Sequence, residues 1–547
     1  MPKPPDYGII YNWDGNPHGY SEYPQSMDEF LDKVYAPMEE TQVGAHFWCV
    51  GEHTARWESD VLETVGDVHG RVYESVQAHN FNENILAMIE RGEDPQQEII
   101  DRGHALGMEV YASIRMNDNH FGGAQPSELP TMRSSELTRM RIEHPEWLLG
   151  EKTTEWFAAS WNLEVPEVRQ HRFDHIAEVA RRWAWDGIEL DWQRHAFHLP
   201  KDTGYRLRYL LTDLQRAVRK MTDDLGKERG RPYYIAARVA AVPEMSYQLG
   251  YDLETWIDEG LVDIIVPAGS AHTDPDPAVE KFLKMCEGTD IVVYPGFDAR
   301  IDGWDFDHFV GPEPAGVKDQ MRTRAVASGW HAAGADGMYA FNWHANRDSR
   351  RELLTQIGST DTLSSTNKIY AAIHRYTEAF GTVGQSWKGA FDNDRIWGQL
   401  PVVLKPTLTG DGPTISLNVA ENFSETSPTI LRLRILLEQW VKGDVVKIYW
   451  DGEERTDIMH SYLLEEDAAG NPLGGQIFDV GAASWFLIDL STDEAAFGTH
   501  KVRVVLQKRN PKLASDITVT NVELLVRYDE EPEQEPVQGV RRFDIPG

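Results

Sequence analysis

The chain is 547 residues long and carries 88 acidic against 53 basic side chains, a formal charge of −35. Its hydrophobic fraction of 41%, with 18 Trp, 20 Tyr and 19 Phe, describes a globular chain too long for one ordinary core. So acidic a surface argues against nucleic-acid and anionic-membrane partners. No apolar run approaches the roughly 18 residues of a membrane span, and the two cysteines, Cys49 and Cys286, supply neither a disulfide framework nor metal-ligand spacing.

From Tyr7 onward, short apolar runs alternate with helical patterns. Strand chemistry is read at 8–14, 44–50, 108–115, 186–192, 233–239, 262–267, 290–296 and 337–344. Helical periodicity is read at 27–38, 82–106 (closed by Gly107 as a C-terminal cap), 165–183, 205–225 and 317–333. A loop of about forty residues after the third strand is too long for a plain connector and reads as a lid or subsite wall. Eight strand–helix alternations predict an α/β fold, a (β/α)8 TIM barrel. A doubly wound sheet would want a Gly-rich phosphate loop after an early strand, and the sequence has none. Two further helices, at 351–357 and 366–379, are expected to close the barrel. From about 383 the pattern changes to strands at 414–419, 445–450, 500–506 and 522–528 between Gly, Asp, Asn and Pro turns, which predicts an all-β sandwich. The expected organisation is a barrel at 5–380, a sandwich at 383–530 and an acidic extended tail at 531–547.

The most telling stretch is Asp186-Gly187-Ile188-Glu189-Leu190-Asp191-Trp192-Gln193-Arg194-His195. Side chains alternate along a strand, so Glu189, Asp191 and Gln193 share one face and Ile188, Leu190 and Trp192 the other. The apolar face suits covering helices, which turns a row of acid and amide into the barrel. An unpaired carboxylate there is costly, so Asp191 is read as functional.

Barrel enzymes place their chemistry at the carboxyl ends of the strands. Those ends supply Trp13, Arg115, Asn117, Asp118, His120, Glu189, Gln193, Arg194, His195, Arg238, Arg300, Asn342, Trp343 and His344 as substrate-binding candidates, with Trp13 and Trp343 as stacking platforms. Asp191, Glu244 and Asp298 are the carboxylates available for acid/base or nucleophilic work at a glycosidic bond. Glu52-His53, Asp118-His120 and His195-His198 are loose pairs without a third ligand at fixed spacing, so neither metal nor cofactor is expected. P-loop, G-x-S-x-G and Cys/His nucleophile patterns are absent from the sequence.

The run Asn162-Leu163-Glu164-Val165-Pro166-Glu167-Val168-Arg169 followed by Asp186 to Trp192, with His144-Pro145-Glu146-Trp147 and Arg115-Met116-Asn117-Asp118-Asn119-His120, resembles the family-10-like glycosyl hydrolase group over residues 7–345. That resemblance implies a barrel glycosidase using two carboxylates. Family-18 chitinases carry a proton-donating Glu where this chain has Gln193, which sets that chemistry aside. The layout is similar to fucan-acting barrel glycosidases, which implies Asp191 as nucleophile and Glu244 as acid/base, with Asp298 in reserve for either role. The set Arg115, His120, Arg194, His195, Arg238, Arg300 and His344 in so acidic a chain predicts an anionic saccharide, first a sulfated polysaccharide and second a uronate polymer. A glycosidase acting on a neutral glycan and a non-catalytic carbohydrate-binding barrel are the alternatives. Oligomeric state and compartment are not legible.

Overall fold

Eight apolar runs become eight parallel staves. The computed structural model describes residues 2–13, 22–51, 53–153, 155–269, 273, 277–298, 315–343, 345, 348–373, 399–407, 411–424, 426–462 and 483–529. Among these, 2–298 and 333–359 belong to one compact unit, and 315–332, 360–373 and 399–529 to a second.

The first unit is a closed barrel. Strands β1 (Ile9–Trp13), β2 (Val43–Cys49), β3 (Glu109–Arg115), β4 (Gly187–Asp191), β5 (Tyr234–Ala240) and β6 (Ile264–Ala268) pair in sequence order. The seventh stave is two short pieces, β7 (Val292–Val293) and β8 (Gly296–Phe297), both alongside β6. Pro295 interrupts it, because proline has no N–H for the ladder. Strand β9 (Met338–Phe341) pairs with β8 and, through Ile9↔Met338 to Asn12↔Phe341, with β1, which closes the ring. Every pairing in the ring is parallel.

Local signals fix the helices around it. Ser26 and Glu29 form a reciprocal capping box at Met27–Tyr35. Proline opens Pro166–Arg182, and Gly230, at φ +68°, ends Gly204–Arg229. The single helix expected at 82–106 is two helices, Val76–Glu90 and Pro95–Ala105. Gly92 at φ +81° ends the first, and Asp94, accepting from the N–H groups of Gln96 and Gln97, starts the second.

Inside the barrel lies a layer of aromatic rings. Tyr7, Phe47, Tyr111, Tyr294 and Tyr339 are buried in one cluster. Their hydroxyls are used: Tyr7 and Tyr111 share a hydrogen bond at 2.7 Å, and Tyr294 accepts the Tyr7 N–H at 3.1 Å. A methyl group on Gly187 would run into the Tyr111 ring, so glycine on β4 is what lets that ring lie across the strand.

The second unit is two antiparallel sheets over a shared core. One joins β10 (Lys368–Ala371), β11 (Val402–Leu404), β13 (Ile430–Glu438), β16 (Met459–Tyr462), β17 (Ala483–Asp489) and β19 (Ile517–Arg527). The other joins β12 (Thr414–Val419), β14 (Val445–Trp450), β15 (Glu453–Arg455) and β18 (Gly498–Lys508). Leu433, Ile435 and Val522 from the first meet Leu417, Ile448 and Val504 from the second in one apolar cluster. The helix expected at 366–379 is strand β10 where it is described, paired with β19. Ile369 and Tyr370 enter different clusters on its two faces, so burial on both sides erases the period-two signal. Residues 374–379, the pattern change at 383 and the 531–547 tail lie outside the described residues. Glu523, fully buried, holds Arg434 and, at 2.9 Å, Arg322 from helix Ala315–Ala332.

Candidate active site

The alternation read on β4 places two carboxylates inside the barrel, one above the other. Glu189 is fully buried; its Oε2 accepts from Asn12 Nδ2 at 2.7 Å and Ser113 Oγ at 2.5 Å, and its Oε1 from the Tyr339 hydroxyl at 2.6 Å. Burial, and then the charge of Asp191, push its pKa up to about 7 against the pull of the Ser113 and Tyr339 hydrogen bonds.

Asp191 ends the strand, also fully buried. Both its oxygens lie 3.1 Å from Arg238 Nη1, and Oδ1 also accepts the N–H groups of Gln193 at 3.1 Å and Arg194 at 2.9 Å. Register explains the ion pair: Arg115 on β3 and Arg238 on β5 sit directly opposite Asp191. Burial works against the Arg238 charge, but Asp191, Tyr339, Asp298 and Glu189 overcome it and hold its pKa above the usual value. Arg238 also donates to the Gly269 carbonyl at 2.8 Å. The guanidinium groups of Arg115, Arg194 and Arg238 stand 5.8, 5.6 and 4.2 Å from the centre of the Phe341 ring, so one aromatic face organises three cations.

Beyond β3, Asp118 is a buried hub. Oδ2 takes Arg115 Nη1 at 2.6 Å and lies 3.3 Å from His120 Nε2; Oδ1 meets His195 Nδ1 and accepts the Asn119 N–H at 2.9 Å. His195 has φ +54°, a left-handed conformation that costs a non-glycine residue on the order of 1–3 kcal/mol. Burial lowers its pKa, with Asp118 opposing the shift and Arg194 and Arg115 adding to it.

Several expected roles change. Glu244 sits in the first turn of helix Pro243–Leu249, its side chain 63% exposed and ion-paired to Lys281. Asn117 is fully buried with its amide spent on the loop: Nδ2 donates to the Trp161 and Phe197 carbonyls at 2.8 and 2.7 Å, and Oδ1 accepts the Trp161 N–H. It pins the loop instead of reading a ligand. Trp343 is fully buried, with Nε1 bonded to the Arg350 carbonyl and the Arg350 guanidinium 4.4 Å from its ring, so it offers no open stacking face. Asp298 is buried, holds Thr273 through its backbone and acts electrostatically on Arg238. Gln193 is buried beside Asp191, and Asn342 takes φ +48°; the side-chain oxygens of both have no hydrogen-bond partner among the described residues. The side chain of Trp13, and Arg300, His344 and Glu52, lie outside the described residues.

The structure also assembles what sequence spacing left apart. His53, after β2, joins Asp118 and His120 with their ligand atoms within 4.8 Å of one another. Two imidazoles and a carboxylate are a metal-competent set. Here, however, Arg115 holds the carboxylate and Arg141 Nη2 lies 3.2 Å from His53 Nδ1, so guanidinium cations already occupy the electrostatic place of a metal. Arg141 comes from the long loop, fully buried, and also donates to the Ala159 carbonyl at 2.7 Å. Beside His53 a cavity of about 280 Å³ is lined by Trp147 and Trp161 of that loop and by His171 and Arg172 of helix Pro166–Arg182. Of the missed groups, Ser113 was within reach: it is the register partner of Glu189 and shares its inward face.

No protein-family model and no curated protein matches the chain. Among solved structures it is similar to a bacterial fucosidase bound to an iminocyclitol inhibitor, at 13% identity and TM-score 0.35 over 92% of this chain and 98% of that one. It is likewise similar to α-amylase from Geobacillus thermoleovorans (10%, 0.35, 91% and 98%) and to an Anoxybacillus α-amylase (11%, 0.37, 92% and 99%). Similarity at this level assigns neither family nor activity.

Proposed function

We propose that the chain is a glycoside hydrolase with Asp191 as the nucleophile toward the anomeric carbon. The observation that carries this reading is the state of Asp191. It is a carboxyl group at the carboxyl end of a barrel strand, ion-paired to Arg238 and accepting two backbone N–H groups, above a second carboxyl group whose pKa burial raises. The fixed contacts orient this carboxyl group, as attack on an oxocarbenium-like centre requires. Asp298, which shares the Arg238 charge, is the second carboxyl group nearest this role. The substrate we infer is an anionic saccharide. Arg115 and Arg238 are paired with Asp118 and Asp191, which leaves Arg194, whose guanidinium has no carboxylate partner among the described residues, to meet the substrate's charge.

The test is to incubate wild type and Asp191→Asn with sulfated, desulfated, uronate and neutral polysaccharides and measure released reducing ends. Release by wild type alone, greater on an anionic polymer, supports the reading. Equal release by the variant removes Asp191 from the chemistry, and equal rates on sulfated and desulfated forms remove the anionic preference. Saccharide binding without any cleavage by wild type selects a carbohydrate-binding barrel.

A further inference from the structure

With Glu244 at the surface beside Lys281, a buried group at the end of β4 is better placed to give a leaving sugar oxygen its proton. We propose that His195 is the acid/base of this site and Asp118 its positioning residue, a deepening that rests on the glycosidase reading above.

Hydrogen-bond chemistry fixes the imidazole. Asp118 Oδ1 and His195 Nδ1 are in short hydrogen-bond contact, so one proton lies between them. A buried carboxylate that also accepts from Arg115 Nη1 at 2.6 Å and from the Asn119 N–H at 2.9 Å is an anion, so that proton is the imidazole's. The Asn119 N–H also lies 2.8 Å from Nδ1, and an Nδ1 that carries its own proton leaves it to Oδ1. Nδ1–H bound to Asp118 makes Nε2 the nitrogen that exchanges protons. The side chain of His195, 4% exposed, has little room to swing away from that contact.

His195 stands four residues after Asp191 at the same strand end, and Arg115, which bonds Asp118, also acts electrostatically on Asp191. The charged and titratable groups facing His195 are Asp118, Arg115, Arg194 and His120, whose ring is 6.1 Å away. Burial, and then two guanidiniums against one carboxylate, discourage a resting imidazolium, so Nε2 takes up its proton from solvent before the first step.

The proton accounting closes. In the first step the Nε2 proton passes to the glycosidic oxygen as its bond to the anomeric carbon breaks and an Asp191 oxygen bonds that carbon. In the second, Nε2 takes a proton from water, the water oxygen bonds the anomeric carbon, and the ester to Asp191 breaks. The imidazolium is then restored.

On the best substrate of the panel, His195→Gln is expected to lose at least about 100-fold in kcat, the usual range for general acid–base catalysis. His195→Ala should regain activity with added imidazole, and Asp118→Asn should lower kcat while KM holds and the alkaline limb of kcat/KM moves. His195→Gln within a few-fold of wild type, or the same limb in Asp118→Asn, overturns the proposal. ¹⁵N NMR of the histidine rings separates this from failure of the glycosidase reading. A His195 resonance protonated at Nδ1 in wild type and altered in Asp118→Asn supports the pair whatever the protein cleaves. Protonation at Nε2 alone refutes it.

Discussion

Replacing Glu189 by Gln measures what it takes to charge a carboxyl group inside this barrel. Burial and the neighbouring Asp191 raise its pKa from 4.5 to about 7. The folded form therefore keeps a proton that the unfolded chain releases. The contribution to stability is whole below pH 4.5, falls as pH rises, and is gone once pH passes 7. At about 1.4 kcal/mol per pH unit the loss comes to about 3 kcal/mol across that window. The variant's amide cannot ionise. Its oxygen can keep the Tyr339 bond, and its nitrogen can find Asn12 Oδ1, which has no hydrogen-bond partner among the described residues, if that amide turns over. Urea unfolding followed through the buried Trp185 and Trp192 should show wild type and Glu189→Gln nearly equal at pH 5. At pH 8 the variant should be the more stable by about 2–3 kcal/mol. A difference that stays constant between the two pH values would falsify the assignment of a raised pKa to Glu189.

Asp191→Ala should destabilise the barrel by about 3–5 kcal/mol in the same assay, because Arg238, 1% exposed, loses its closest anion. Glu523→Ala should cost the second unit a similar amount, about 3–5 kcal/mol, since two buried guanidiniums converge on it; calorimetry should show the transition of that unit moving down in temperature. Arg194→Gln should raise KM for an anionic polymer about 10-fold, the worth of one hydrogen bond to a charged group, and flatten the dependence of KM on salt, with kcat nearly unchanged.

The barrel was legible because each stave is a short, largely apolar run between helical patterns, and β4 was legible to the level of single side chains. Ile188 and Leu190 could only face the helices, so Glu189 and Asp191 had to face in. The Arg115–Asp191–Arg238 row follows from strand adjacency and register, which the sequence order of a parallel barrel nearly dictates. The Glu244 expectation took proximity to the end of β5 for a place in the mouth, and the structure puts that side chain at the surface beside Lys281. Val242-Pro243-Glu244 is a helix start, proline at the first position and an acid beside it, and such a start turns the acid toward the positive end of the helix and to solvent. Asn117 and Trp343 show the limit of reading by residue type: an amide and an indole suit a sugar, but they suit a loop carbonyl equally well. The split at Gly92 was visible in the Gly-Glu-Asp-Pro sequence itself. Strand β10 was not, since a segment buried on both faces has no periodicity to read.

The aromatic layer beneath Glu189 fills that part of the barrel with packed side chains. Rings resting on glycine backbone at Gly187 and Gly337 fill the space that water would need to rise from below. Among the described residues, exchange of the Glu189 proton from that side would have to displace those rings. The charge of this inner carboxyl group is thus governed by what surrounds it: Asn12, Ser113, Tyr339 and the neighbouring Asp191.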